Sequence, residues 1–167
     1  ESPGRMPGTR WFPDAHLNYA ENLLRSRDDG DALVFWGEDR VKNRLSHGDL
    51  YRQVAHFAAA LQEMGVVAGD RVAAWMPNLP ETIVVMLAAS SIGAIFSSAS
   101  PDFGVQGVLD RFGQIEPKVL VAVDGYYYNG KVVDCLDRLA AITDGLPTVK
   151  RVVVVPYVHA HHDLSHV

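Results

Sequence analysis

The sequence predicts an α/β layered domain built on a mostly parallel sheet. Short, continuously apolar runs alternate with longer segments in which apolar residues recur at helical spacing. Parallel strands that are buried on both faces have the first pattern, and helices that cover a sheet have the second. The alternation therefore favours parallel strands between helical layers, with strands expected near residues 32–36, 71–76, 94–97, 119–123 and 149–155.

Residues 1–30 read as a leading segment that precedes the layered part. Proline and glycine interrupt regular structure before Asp14, which is the expected N-cap of a short helix with Leu17 and Leu24 on its apolar face. We therefore divide the chain into an N-terminal segment with one helix, residues 1–30, and an incomplete N-terminal α/β subdomain, residues 31–167.

Capping and breaking residues mark the boundaries of the next two helices. Ser46 and Asp49 have the spacing of a capping box, and Gly65 ends the helix that they open. Pro80 suits the first turn of the following helix, and Gly93 ends it. Because this second helix is apolar on nearly all faces, we expect it to be buried between layers.

Two more helices are expected in the second half, from Val105 to Ile115 and from Val132 to Ile142. The last predicted strand contains four consecutive valines, residues 152–155, and leads into a histidine-rich loop with no covering element. A domain normally covers its last strand, so the sequence looks as if it were cut within a domain.

Composition excludes several classes of function. The net charge is −5 and no run of three basic residues occurs, so nucleic acid and anionic membranes are not expected partners. The single cysteine, Cys135, lies in an apolar pattern and is expected to be a buried thiol. With no glycosylation sequon and no apolar stretch long enough to span a membrane, the sequence favours a cytoplasmic protein.

Four histidines near residue 160 are candidate ligands for a transition metal. The cluster has no carboxylate or thiol shell at helical or hairpin spacing, so an exposed loop is the better interpretation and no metal ligand is assigned. Its members are His159, His161, His162 and His166.

Two segments are candidates for ligand binding. Residues 97–103 follow a predicted parallel strand, at the edge where open α/β sheets place ligands; an ordinary strand-to-helix loop is the alternative. Residues 126–131 combine three tyrosines with an Asn-Gly turn and Lys131, which suits an adenine and a phosphate; a plain surface turn fits the residues equally well. The sequence contains no phosphate-loop, dinucleotide-binding or nucleophile-elbow motif.

In these and neighbouring residues the chain resembles a known superfamily, the adenylate-forming acyl-CoA synthetases. Residues 69–81, GDRVAAWMPNLPE, are similar to the early core of these enzymes. Residues 11–24 resemble the acetyl/acetoacetyl-CoA synthetase branch. Residues 100–112, SPDFGVQGVLDRF, and residues 128–131, YNGK, are similar to the acetoacetyl-CoA synthetase family in particular. The resemblance covers nearly the whole chain.

The resemblance implies the N-terminal part of the large domain of an ATP-dependent ligase that joins acetoacetate to CoA through an acyl-adenylate. Acetoacetate, CoA, ATP and Mg²⁺ are then the small molecules of the complete enzyme. It also implies that six residues lie near the 3′-phosphoadenosine end of CoA. These residues are Ser100, Pro101, Asp102, Phe103, Tyr128 and Lys131.

The same resemblance implies that this chain alone is inactive. The family's phosphate loop, adenine motif, ribose-binding aspartate and catalytic lysine are not found among these residues. No catalytic residue is therefore assigned, and no cofactor is expected to bind the fragment. Two alternatives stay open: an acetyl- or propionyl-CoA synthetase fragment, and a non-catalytic α/β binding module.

Overall fold

The computed structural model describes residues 7–38, 41–159 and 164. Its helices are α1 (Tyr19–Leu23), α2 (His47–Glu63), α3 (Pro80–Ser91), α4 (Val105–Phe112) and α5 (Leu136–Asp144). Its strands are β1 (Asp31–Gly37), β2 (Val41–Ser46), β3 (Arg71–Trp75), β4 (Ile95–Ala99), β5 (Val119–Val123), β6 (Gly125–Tyr128), β7 (Lys131–Asp134) and β8 (Arg151–Val155).

The centre of the fold is a four-stranded parallel sheet in the order β4-β3-β5-β8. Strand β5 is buried at every position, and β3 is buried from Val72 to Trp75. Continuous burial on both faces is what an unbroken apolar strand requires. The predicted α/β class and its mostly parallel sheet are therefore confirmed.

The connections place helices on both faces of this sheet. The crossover from β3 to β4 runs towards one edge, whereas those from β4 to β5 and from β5 to β8 run towards the other. Because such crossovers are right-handed, the reversal puts α3 on one face and both α4 and α5 on the opposite face. Accordingly, α3 packs against α1 and α2, and α4 packs against α5.

The prediction that residues 32–36 belong to the parallel sheet is wrong. Strand β1 forms an antiparallel hairpin with β2, and the pair makes a separate sheet. Strand β2 reads VKNRLS and is mostly polar and exposed, so it has no apolar signature of a strand. Because β2 cannot be recognised in the sequence, the apolar pattern of β1 looks the same as that of a strand in the parallel sheet.

Two helix boundaries also differ from the prediction. The first helix is capped by Asn18, whose side-chain oxygen accepts a hydrogen bond from the Glu21 amide at 3.1 Å, and not by Asp14. The helix expected from Val132 begins only at Leu136. The preceding residues pair with β6 instead, because Asn129 and Gly130 both have positive φ, +49° and +73°, and close a tight hairpin.

The other boundary signals act as predicted. The Ser46 hydroxyl accepts a hydrogen bond from the Asp49 amide at 3.1 Å. The Asp49 carboxylate accepts one from the Ser46 amide, which completes the capping box. Pro80 is the first residue of α3. Gly65 and Gly93 follow their helices with positive φ, +80° and +76°.

Cys135 is buried beneath the first turn of α5, as predicted. Burial raises the pKa of its thiol to about 11, while the nearby Arg138 guanidinium acts in the opposite direction. At pH 8 about one thiol in a thousand is then ionised, and the thiolate is the reactive form.

We expect iodoacetamide to leave Cys135 unmodified in the folded chain and to alkylate it fully in urea, as followed by intact mass. Rapid labelling without denaturant would contradict the buried position.

Within the described residues, none of the helices has the length and apolarity needed to cross a membrane.

Candidate functional site

The candidate site lies at the edge where the parallel strands end. Connections from β3 and β5 leave this edge towards opposite faces of the sheet, so the point between them is a topological switch point. Open α/β sheets bind ligands in the crevice at such a point. The loop after β3 and the β6–β7 hairpin after β5 line one groove there, and the loop after β4 contacts the hairpin through Tyr126.

The loop after β4 is held in shape by its own side chains. The Ser100 hydroxyl donates to the Asp102 carboxylate at 2.9 Å and accepts a bond from the Asp102 amide at 3.3 Å. Pro101 is buried, whereas Asp102 and Phe103 are exposed. The Arg111 guanidinium covers the Phe103 ring, 4.1 Å from its centroid. The loop therefore presents one carboxylate and one aromatic ring to solvent.

Tyr126 and Arg138 join this loop to the hairpin region. The Tyr126 hydroxyl donates to the Asp102 carboxylate at 2.8 Å, and Arg138 donates to the Pro101 carbonyl at 3.0 Å. Arg138 also donates to the Asp134 carbonyl at 3.2 Å and lies 5.1 Å from the centroid of the Trp75 ring. Partial burial and the bond to Asp102 raise the pKa of Tyr126, so its phenol remains a donor at neutral pH.

The hairpin turn binds an anionic group in this structure. The amides of Asn129 and Gly130 donate to the two carboxylate oxygens of Glu38, at 3.0 and 3.1 Å. Lys131 follows directly and is exposed, and Tyr128 on the other side of the turn is 64% exposed. Two adjacent N–H donors form an arrangement that suits a phosphate, and Lys131 adds a positive charge at the next position in the sequence.

A groove of about 520 Å³ lies at the switch point itself. One wall is β1, another is the loop after β3, and a third contains edge-to-face tyrosines, with the Tyr127 and Tyr157 centroids 5.3 Å apart. An aromatic groove with a few polar groups at its rim is a usual form of small-molecule site. The residues that give it this character are Trp36, Glu38, Asn78, Tyr126, Tyr127 and Tyr157.

Asp124, immediately after β5, fixes the segment that follows β8. Its carboxylate is fully buried and accepts bonds from the amides of Tyr157, Val158 and His159 at 2.8, 3.1 and 2.9 Å. Three N–H donors replace the hydrogen bonds to water that a buried carboxylate loses. Asp124 thereby holds Tyr157 in the groove wall.

The structure brings together the two segments that the sequence singled out. The loop of Ser100 to Phe103 and the hairpin of Tyr128 and Lys131 lie at the same sheet edge and are linked through Tyr126. Contacts of these residues with CoA stay a prediction.

Sequence reasoning missed Glu38, Arg138 and Asp124. Asp124 alone had a usable signal, an acidic residue directly after an all-apolar strand. Glu38 lies 91 positions from the turn that it binds, and no local pattern indicates such a contact.

Nothing in the described part of the chain groups three or more histidine, cysteine, aspartate or glutamate residues as a metal site would require. His159 pairs with Asp134, with 3.0 Å between Nε2 and Oδ2. The other members of the histidine cluster, His161, His162 and His166, lie outside the described residues.

Comparison with known proteins gives consistent relatives. The sequence profile of the AMP-binding enzyme family matches residues 21–164. The acetoacetyl-coenzyme A synthetase of Rhizobium meliloti is 56% identical over 155 residues, which are 92% of this chain and 23% of that protein. The acetoacetyl-CoA synthetase of Xenopus tropicalis is 48% identical over 159 residues, 94% of this chain and 24% of that protein.

A solved structure agrees with these relatives. Acetoacetyl-CoA synthetase from Streptomyces lividans superposes with a TM-score of 0.89 at 43% identity, over 95% of this chain and 25% of that one. The chain thus spans about a quarter of the length of the proteins that it matches. The resemblance to acetoacetyl-CoA synthetases is confirmed, and the chain belongs to the AMP-binding enzyme family.

Proposed function

We propose that this chain is part of an ATP-dependent ligase that joins acetoacetate to CoA through an acyl-adenylate. The observation that carries the proposal is the anion-binding turn of residues 129–131, in a chain similar to acetoacetyl-CoA synthetases over most of its length. CoA has a 3′-phosphate that such a turn suits. ATP and Mg²⁺ would act at residues outside this chain, and the cytoplasm is the expected location.

Each predicted site residue has a distinct role in this proposal. The amides of Asn129 and Gly130 and the ammonium group of Lys131 bind the 3′-phosphate. Tyr128 is exposed beside the turn and offers its ring to the adenine. The loop from Ser100 to Phe103, braced by Tyr126 and Arg138, forms the neighbouring wall.

Lys131→Ala in the complete protein is expected to weaken CoA binding by roughly 1–3 kcal/mol, the usual scale for a charge-assisted hydrogen bond. Acyl-adenylate formation precedes CoA binding and should change little. The test measures acetoacetate-dependent ATP–pyrophosphate exchange and acetoacetyl-CoA formation separately. The 167-residue chain alone serves as a blank and should show no exchange.

Lys150→Ala is the matched control. Lys150 is exposed and directly precedes β8, at the end of the sheet where the parallel strands begin. The substitution should therefore leave both half-reactions unchanged. If Lys131→Ala leaves the affinity for CoA unchanged, or lowers pyrophosphate exchange equally, the assignment of the turn is wrong. Absence of acetoacetate-dependent exchange in the native complete protein would refute the ligase itself.

A further inference from the structure

The turn that we assign to a phosphate is occupied by a carboxylate from elsewhere in the chain. Both oxygens of Glu38 accept hydrogen bonds from adjacent backbone amides, Asn129 at 3.0 Å and Gly130 at 3.1 Å. Glu38 is the first residue after β1 and lies at the rim of the groove. A phosphate oxygen pair would require the same two donors.

Glu38 is suited to be displaced. Its side chain is exposed at the surface, so water can solvate the carboxylate as soon as it leaves the turn. The Glu38 carboxylate carries one negative charge, whereas a phosphate monoester carries about −1.5 to −2 at neutral pH and forms stronger hydrogen bonds.

We propose that Glu38 is a specificity-determining residue that competes with the ligand phosphate for the Asn129–Gly130 turn. An anion binds there only if it outcompetes the internal carboxylate, which a phosphate monoester dianion does and a weaker acceptor does not. The apparent affinity for the phosphate is the intrinsic affinity multiplied by the fraction of molecules in which Glu38 has left the turn. This inference rests on the proposed function, since it takes the turn as the site of the CoA 3′-phosphate.

The test compares CoA with 3′-dephospho-CoA by calorimetry on the complete protein. Glu38→Gln keeps the size of the side chain and removes its charge, and Glu38→Ala frees both donors. Both variants are expected to bind CoA about threefold to tenfold more tightly than the native protein, with alanine at least equal to glutamine. The affinity for 3′-dephospho-CoA should not change. Thermal midpoints within a few degrees of the native value establish that the variants are folded.

Glu63→Gln is the matched control, since it removes one exposed negative charge near the end of α2. It should leave both affinities unchanged. Unchanged or weaker CoA binding by both Glu38 variants, with the preference for the 3′-phosphate retained, would overturn the competition and make Glu38 a structural clamp. If the native protein shows no preference for CoA over 3′-dephospho-CoA, the proposed phosphate site itself fails. The two failures are therefore distinguishable.

Discussion

Asp124→Ala is expected to destabilise the fold by about 3 kcal/mol or more. The buried carboxylate accepts three amides from the segment after β8, at 2.8, 2.9 and 3.1 Å. Each partly buried N–H that loses its partner costs about 1–3 kcal/mol. Urea unfolding followed by circular dichroism measures the change in the free energy of unfolding.

Asp124→Asn separates geometry from charge. The asparagine oxygen still accepts from Tyr157 and Val158, but its NH₂ group cannot accept from His159, so the loss should be about 1–2 kcal/mol. Asp144→Ala, at an exposed position, is the control and should stay within about 0.5 kcal/mol. A loss for Asp124→Ala as small as for the control would mean that water replaces the carboxylate.

Trp75→Ala is expected to cost about 3–5 kcal/mol, the usual range for emptying the space of a large aromatic side chain. Trp75 is 0% exposed at the end of β3, and the Arg138 guanidinium lies over its ring. The cavity would also remove the surface on which Arg138 rests, so the loop at Pro101 should lose order. Urea unfolding gives the energy, and proteolysis of the loop gives the local effect.

Trp75→Phe is the informative partner of that variant. Within the described residues the Trp75 Nε1 atom is buried and has no hydrogen-bond partner. Removing an unpaired donor loses no bond, and an aromatic ring remains beneath Arg138, so the cost should be only about 1 kcal/mol. If Trp75→Phe lowers the free energy of unfolding as much as Trp75→Ala, then the indole N–H has a partner or the shape of the indole is essential.

Much of the fold could be predicted because the signals are local. The apolar runs of β3 and β5, the capping box at Ser46, and Pro80 each report on structure within a few residues. The prediction failed where the apolar pattern of a strand is weak, or where the same pattern fits both a helix and a strand. Strand β2 is polar, and residues 132–134 carry an apolar pattern that fits a helix or a strand until the Asn-Gly turn selects the hairpin.

The candidate site was only half predictable. Ser100 to Phe103 follow β4, and Lys131 lies in the hairpin that follows β5, so the strand order alone places both at the end of the parallel sheet where open α/β folds bind ligands. The partners that shape the site come from distant positions: Glu38 lies 91 residues from its turn, and Arg138 lies 37 residues from Pro101. No period or motif connects such pairs.

The sequence by itself determined the α/β class, the strands of the parallel sheet and the family, because apolar period, capping and short motifs act over neighbouring residues. Only the tertiary structure decided that β1 leaves the main sheet, that Asp124 is a buried anchor, and that Glu38 occupies the turn beside Lys131. Those outcomes depend on which backbone groups meet across the fold, and on which distant backbone amides the Asp124 and Glu38 carboxylates reach. Every residue except proline carries the same backbone donor and acceptor, so the long-range pairing of these groups leaves no mark in the side-chain sequence.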